Sequence, residues 1–467
     1  MKIKGDIKMS KKKVLFRVGV VAMPLVMFGW FYKFPVFCKK AKMNRYVKAF
    51  VEQGLFSGSV LVAKGGKILL CKGYGMADYE NDIPNTLQTK FNLASVTKQF
   101  TAAAIMILQQ KGLLSVEDPI SKYIPGYPHG DEITIHDLLS HTSGIPEYFN
   151  FIGDYSVANM PPSLNEIIEL FKNEPLEFTP GERHEYSNSN YILLSFIIEK
   201  VSQKSLAQFM QENIFQQLNM VGTGFDYDPT DEKFAVGYVA EDENFNRVDY
   251  VDMSFAYGDG NLISTVEDLY LWDRALYTEK LFSKELLNKM FTSIKDDYGY
   301  GWVVSEAFGR KHIWHNGAID GFHAMISRFV DDDVCIIVLS NLDISSSRVE
   351  EMSNGLAAII FGEKYELPQK AKKRLAIQID PAIYDQYVGH YKELKEDIIS
   401  KVTKEDNNLF VQRAGGSKIQ LYPESETEFF LKIIDVQISF VKDKHGKVTK
   451  LIIHQGGEDT VADKIGE

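Results

Sequence analysis

The sequence predicts an α/β fold: a sheet domain carrying a long helical insertion, followed by a small all-β domain. Three observations predict it. Strand-like runs cluster at 56–74 and return at 311–341, with helical and loop-forming segments between them. Strands therefore bracket a helical middle instead of alternating with helices as βαβ units do. Beyond a basic stretch with Pro near both ends, short strand-like runs recur at about the 8–12-residue spacing of an all-β unit.

The elements follow in chain order. Residues 1–45 read as a signal peptide or signal-anchor segment. Lys2, Lys4, Lys8, Lys11, Lys12, Lys13 and Arg17 precede the apolar run "VGVVAMPLVMFGWFY" at 18–32, the order of an export signal with its N-terminus in the cytoplasm. "KFPVFCKK" offers no small-x-small cleavage site, and Cys38 lacks the small residues that precede a lipid-modified cysteine. An uncleaved anchor is therefore preferred to a cleaved peptide. The main body is expected at 46–362. In it, "FSGSVLVAK" and "KILLCKGY" read as two strands joined by a Gly-Gly turn. "SVTKQFTAAAIMILQQKG" reads as a helix beginning at Ser95 and capped by Gly112. Strands are expected again at 311–316, 322–330 and 333–341, then a helix over "SRVEEMSNGLAAIIFG". Residues 363–381 read as a linker. Residues 382–467 read as a small antiparallel sheet or barrel, in the role of a stabilising or lid-like accessory.

Charge and cysteine usage narrow the function classes. The net charge of −11 is unevenly placed: residues 1–45 hold twelve Lys/Arg against Asp6, leaving +11 there and −22 on the rest. An acidic body excludes nucleic acid as an expected partner, since phosphate binding needs a basic footprint. Cys38, Cys71 and Cys335 form no CxxC and no metal-ligand spacing. Cys71 and Cys335 sit in strand-like runs and read as small buried apolar residues.

Ser95 and Lys98 in "FNLASVTKQF" stand one helical turn apart. The spacing alone is weak, because a Ser three positions before a Lys arises about twice by chance in a chain of this composition. Ser10–Lys13 lies in the leader, and Ser439–Lys442 lies in a strand-like run, where residues three apart face opposite ways. Ser95 differs by its place at a helix start, where exposed N–H groups favour negative charge. Lys98 shares its helix face, and a desolvated neutral lysine can activate a serine. Three Tyr-x-Asn triplets exist, at Tyr79, Tyr148 and Tyr186. The third, Tyr186–Asn188, lies between a Pro-Gly turn and an amphipathic helix, which holds a loop on scaffold; Tyr148 ranks second. A third element, His315-Asn316-Gly317, ends a strand. Gly317 would let a substrate backbone approach, and the Ala318 N–H could join that of Ser95 as an oxyanion hole.

These elements in this order resemble the serine β-lactamase and penicillin-binding superfamily, whose signature begins with Ser-x-x-Lys. The group with Tyr-x-Asn in the middle is the most similar: class C β-lactamases, DD-peptidases and related esterases. "ITIHDLLSHTSGIPEY" (133–148), "PGERHEYSNSNYILL" (180–194) and "YGDGNLISTVEDLYLW" (257–272) add to the resemblance. It covers about 46–362 and implies a β-lactamase/transpeptidase-like antiparallel sheet flanked by helices, with a helical subdomain. It implies Ser95 as acylated nucleophile, Lys98 as base or proton relay, and Tyr186 as partner base that helps activate water. It also implies Asn188 as holder of the substrate amide, and His315 in the place where many relatives have lysine. No metal or organic cofactor is implied. The C-terminal part resembles small β-domains appended to such hydrolases. The departure is the third element: Lys-Thr-Gly has become His-Asn-Gly. A permanent charge is replaced by a histidine only partly charged at neutral pH, which weighs against efficient penicillin hydrolysis.

Competing motifs are weaker. An Asp137–His141–Ser143 triad is disfavoured by the turn residues Gly144 and Pro146. No GxSxG is present, and His184-Glu185 lacks the second histidine of a zinc protease helix. Tyr257, Trp302 and Phe322 fit a pocket wall or the core equally. The expectation is an exported, envelope-located serine hydrolase acting on small peptide, amide or ester substrates, with D-Ala peptides of cell-wall type preferred. β-Lactamase, small-ester hydrolase and a non-catalytic envelope scaffold that contacts the cell wall are the alternatives.

Overall fold

The computed structural model describes residues 39–151, 163–225, 231–241, 244–248, 253–343, 346–368, 374–394, 399–405, 407–413, 419–431, 436–455 and 458–466. The expected leader run at 18–32 and Cys38 lie outside the described residues. Among the described residues no helix is long and apolar enough to cross a membrane. The chain divides into two compact units, the first ending at Leu367 and the second spanning Pro368–Glu467.

The first unit is built on one antiparallel sheet of six strands: β1 (Gly58–Lys64), β2 (Lys67–Tyr74), β3 (Val303–Ala307), β4 (Arg310–Ile319), β5 (Phe322–Phe329) and β6 (Val334–Ser340), in the order β2-β1-β6-β5-β4-β3. The central strands are apolar on both faces, and their period of two divides them between two cores. Leu61, Ala63, Cys335, Ile337 and Leu339 join the large core that holds the helical middle. Val60, Val62, Val334, Ile336 and Val338 join a second core under the terminal helices. Each such aliphatic side chain contributes about 1.5–3 kcal/mol on burial.

That second core corrects the expected boundary at residue 45. Helix α1, residues 39–52, runs straight through it, burying Met43, Tyr46, Val47 and Phe50 at helical spacing. Lys39 Nζ donates to the Ile360 carbonyl at 2.7 Å. Lys40, Lys42 and Arg45, counted with the leader, are on the solvent face of this amphipathic helix.

The helical middle includes α2 (Lys98–Gln110), α3 (Ile135–Leu139), α4 (Leu164–Phe171), α5 (Ser189–Ser202) and α6 (Val266–Ala275); α7 (Ser346–Phe361) closes the second core. Helix α2 buries Lys98 to Leu108 without a break, as a helix surrounded by others must. The residues of β3 escaped the sequence reading because "VVSEA" is short and half-buried.

The second unit is a closed eight-stranded barrel, from β7 (Gly389–Glu393) to β14 (Glu458–Gly466), with Tyr387, Tyr391, Phe429 and Phe440 filling its core. Seven of its strands fall on the strand-like runs "YVGHYK", "DIISKVT", "NLFVQRA", "KIQLYP", "EFFLKII", "VQISFVKD" and "VTKLIIHQ". The eighth, "EDTVADKIG", is too polar to read as a strand, yet it pairs with β7 and closes the barrel. Part of the expected linker belongs to this unit: Arg374 bonds Glu424 at 2.7 Å, and the Ile377 N–H reaches the Pro423 carbonyl at 2.9 Å.

Candidate active site

Ser95 lies in a 3-10 turn, Ala94–Thr97, that feeds into α2, and not in the helix proper. The turn forms because Ala94 takes φ +44°, an uncommon conformation for a residue with a Cβ. Asn92 Oδ1 holds it by accepting the Ala94 N–H at 2.8 Å, and the Leu93 N–H bonds the Leu262 carbonyl at 2.8 Å. Lys98 opens α2 and is fully buried. Its Nζ lies 3.2 Å from Ser95 Oγ and donates to Asn188 Oδ1 at 2.6 Å and to the Asp259 carbonyl at 2.9 Å. It also lies 4.9 Å above the Tyr186 ring and 5.5 Å from that of Tyr191.

The loop carrying Tyr186 and Asn188 is stitched to the 141–147 segment. The Glu185 N–H bonds the His141 carbonyl, the Ser187 N–H bonds His141 Nδ1, and both Ser187 and Ser189 hydroxyls donate to the Pro146 carbonyl. Tyr186 is 37 % exposed as a residue, so one side of its ring faces out. Its hydroxyl end is the desolvated part. Desolvation raises its pKa, while Lys98 and hydrogen bonding to Lys98 and Ser95 pull it back. Asn188 stands at the N-cap of α5 without capping it. Its Nδ2 and backbone N–H both donate to Glu147 Oε2, at 2.9 and 2.8 Å. The residue expected to hold a substrate amide is thus already a bridge between Lys98 and Glu147.

His315 is buried on β4. Its Nδ1 faces the Asn316 carbonyl at 2.5 Å and its Nε2 the Tyr298 hydroxyl at 2.9 Å. A carbonyl can only accept, so Nδ1 carries the proton and Nε2 accepts from Tyr298. Desolvation lowers its pKa to about 4. The expected partial charge is absent at neutral pH because burial removes the water that would solvate an imidazolium. Gly317 does not stand open to a substrate. A Cβ there would lie 2.2 Å from the Leu93 carbonyl oxygen and 3.0 Å from Ser95 N. Glycine is needed because β4 presses against the serine turn. Ala318 is the next residue along β4 and is exposed.

The structure separates the other candidates. Asp137 accepts from Thr134 and Thr142, capping α3; Ser143 donates to Asn190; His141 accepts from Ser187 and Asn190. No triad results. His141 is instead a neutral aromatic wall, 4.3 Å from the Tyr186 ring, with burial pushing its pKa well down. Tyr79 packs on Tyr238 and Phe245, and Tyr148 is buried against Phe149. Trp302 is core, packed on Phe291. Glu147, Asp259, Tyr191 and Tyr298 were missed as site residues. Glu147 and Asp259 lie in stretches already singled out, "SGIPEY" and "YGDGNLIST", but no local pattern distinguishes a site carboxyl from a turn residue.

A sheet with a helical insertion, and a serine turn packed between its edge hairpin and a buried lysine, define a penicillin-binding type of fold. The chain belongs to the Beta-lactamase family, whose model matches residues 43–358. Residues 373–464 match a domain of unknown function, DUF3471. Penicillin-binding protein 4* of Bacillus subtilis (strain 168) is 31% identical over 448 residues, covering 90% of this chain and 98% of that protein. Putative penicillin-binding protein PbpX of the same organism is 31% identical over 327 residues, covering 70% of this chain and 80% of that one. Among solved structures, the octameric penicillin-binding protein homologue from Pyrococcus abyssi superposes with a TM-score of 0.62 at 26% identity, covering 90% of this chain and 99% of that one.

Proposed function

We propose that this protein hydrolyses an amide or ester through an acyl-enzyme on Ser95, with D-alanyl peptides as the preferred acyl donors. One observation carries the reading: the three oxygens around Lys98 Nζ. An ammonium has three N–H groups and an amine two plus a lone pair. The two shorter bonds, to Asn188 and Asp259, fix two N–H groups of the amine. The remaining direction, at 3.2 Å, meets Ser95 Oγ. The lone pair then takes the serine proton as Oγ bonds the carbonyl carbon. The leaving group receives a proton from Lys98 or Tyr186 as its bond to carbon breaks. Water, activated by Tyr186, then releases the acyl group. The Ser95 and Ala318 N–H groups serve as oxyanion donors, and Asn188 acts by orienting Lys98. Relatives named as penicillin-binding proteins support a pocket that takes cyclic amides. The basic-then-apolar leader supports an exported enzyme retained at the cell envelope.

The test is the intact mass of the full chain after incubation with benzylpenicillin and with a fluorophosphonate, beside Ser95→Ala. A penicilloyl adduct confined to the wild type is expected. A fluorophosphonate adduct alone shifts the reading to an esterase. No adduct with either rejects the Ser95 mechanism in favour of a scaffold. A D-Ala-D-Ala peptide is expected to be cleaved faster than its L,L counterpart; equal rates overturn the D-alanyl preference.

A further inference from the structure

The chain enters the first unit at one end of its sheet, and lysines gather at that end. Phe361, which ends α7, is the hub. Lys64, which ends β1, lies 5.5 Å over its ring, and the guanidinium of Arg310, which opens β4, lies 4.2 Å over it. Phe308, between β3 and β4, and Phe329, at the end of β5, pack on the same ring at 6.0 and 5.0 Å. The neighbouring Ile360 carbonyl accepts from Lys39 Nζ of α1. Lys40 and Lys42 on α1, and Lys64 and Lys67 on either side of the Gly65-Gly66 turn, are exposed. With Lys39 they form no ion pair among the described residues. Of the carboxylates nearby, Asp332 and Asp333 are engaged by Arg310 and Arg274. That leaves these five lysines against Asp331 and a net −1 from Glu363, Lys364 and Glu366, whereas residues 46–467 as a whole carry −22.

The strand beside the serine turn runs away from this end. Arg310 opens β4, and the turn meets that strand at Gly317, seven residues on, which is about 23 Å at the usual rise. Six residues separate the apolar run at 18–32 from Lys39, and they span at most about 25 Å. Whatever holds that run therefore lies close to the lysine-rich end. We propose that this end docks on the anionic headgroups of the bilayer in which the leader run is anchored, so that Ser95 stands about 20 Å outside the membrane surface. The proposal rests on the reading of an enzyme retained at the cell envelope by its leader. An anionic lipid surface attracts each lysine that comes within a Debye length of it. The acidic remainder of the body is repelled, which turns the same end inward. A site at that height meets substrates that lie beyond the headgroups and not ones buried among the lipids.

The experiment is hydrogen exchange, read by mass spectrometry, on the full chain reconstituted into vesicles of phosphatidylcholine alone or mixed with phosphatidylglycerol. Peptides covering 63–69 and 306–311 report the lysine-rich end, and a peptide covering 317–322 reports the far end of β4. Phosphatidylglycerol is expected to slow exchange in the first two by about fivefold or more, the contribution of a single lysine near such a surface, and to leave the third unchanged. The slowing should vanish in about 1 M salt, where the Debye length is about 3 Å. It should also vanish in a variant carrying Lys40→Gln, Lys42→Gln, Lys64→Gln and Lys67→Gln, whose Ser95 labelling rate stays at the wild-type value. Equal exchange in the two lipids, or slowing at 317–322 instead, overturns the proposal. Equal slowing by soluble polyglutamate added to the neutral vesicles overturns the membrane as the occupant. Failure of the anchor reading looks different: the protein then does not float with phosphatidylcholine vesicles, whatever the lysines do.

Discussion

Gly317→Ala tests whether the serine turn is held by the close approach of β4. The added methyl would meet the Leu93 carbonyl oxygen at 2.2 Å, Ser95 N at 3.0 Å and Ala94 Cβ at 3.2 Å. Ordinary contacts of this kind need about 3.5 Å, so strand and turn must part by about 1 Å. Neither yields easily. Strand β4 is locked to β5 in continuous register from Ile313 to Ile319, and Leu93 is bonded to Leu262. Overpacking of this size costs about 1–3 kcal/mol in stability. The larger effect falls on rate, because a displacement of about 1 Å at a reacting group costs about 100-fold. The assay is fluorophosphonate labelling of Ser95, with thermal melting alongside. Labelling is expected to fall about 100-fold while the melting temperature drops only a few degrees. Gly224→Ala is the control, since a Cβ there meets nothing within 4 Å. A folded Gly317→Ala protein that labels at the wild-type rate would refute the packing argument.

Lys98→Met should slow Ser95 labelling by about 100- to 10,000-fold, the usual loss on removing a general base; an unchanged rate would remove Lys98 from the mechanism. Glu147→Gln takes away the charge that accepts two N–H bonds from Asn188, and charge-assisted bonds contribute about 1.5–3 kcal/mol. Chemical denaturation should show a loss of that order together with slower labelling, and wild-type values for both would show that Asn188 holds its place without Glu147. His312, buried and stacked on Phe329 at 4.6 Å, has its pKa lowered to about 4 by desolvation. The unfolded chain binds that proton near pH 6.5, so this histidine costs stability as pH falls from 6.5 towards 4, by about 1.4 kcal/mol per pH unit. Denaturant melts at pH 7 and 4.5 should show a shallower decline in His312→Gln than in the wild type; parallel declines would mean that His312 ionises while folded.

The sheet was legible in the sequence where strands are buried on both faces, because "VCIIVLS" leaves no other reading. Its edges were not. "VVSEA" and "EDTVADKIG" become strands through a neighbour's hydrogen bonds and carry little apolar signal of their own. The helix at 39–52 was hidden by its own solvent face, whose lysines continue the basic residues that precede it in the sequence. At the site, the gathering of Ser95, Lys98, Tyr186, Asn188 and His315 in one place was legible because motif and context agree. The use of Asn188 was not, because nothing near it in sequence shows that Glu147 will fold back onto it. The charge of His315 was misjudged for a related reason: the side-chain type is local, but the absence of water around it is tertiary.

Ser95 and Ser439 each stand beside a base, and the contrast separates geometry from reactivity. Ser439 Oγ lies 2.7 Å from His454 Nε2, and His454 Nδ1 lies 2.7 Å from Asp459 Oδ1. Those distances match a Ser-His-Asp triad. Yet Ser439 also donates its only proton to Glu428 Oε2 at 2.5 Å. The serine proton is thus engaged by a carboxylate and is not directed at the imidazole. The alternation of this strand buries Val436, Ile438 and Phe440 in the barrel and turns Ser439 outward. Ser95 is held in the opposite way. Its turn is fixed by Ala94, Asn92 and Gly317, and two directions at Lys98 Nζ are taken by Asn188 Oδ1 and the Asp259 carbonyl. What remains at Lys98 points at the serine, in a place from which bulk water is excluded. A nucleophile arises where the surroundings use up every other option of its partner, and in the described residues the Ser95 turn meets that condition whereas the barrel face does not.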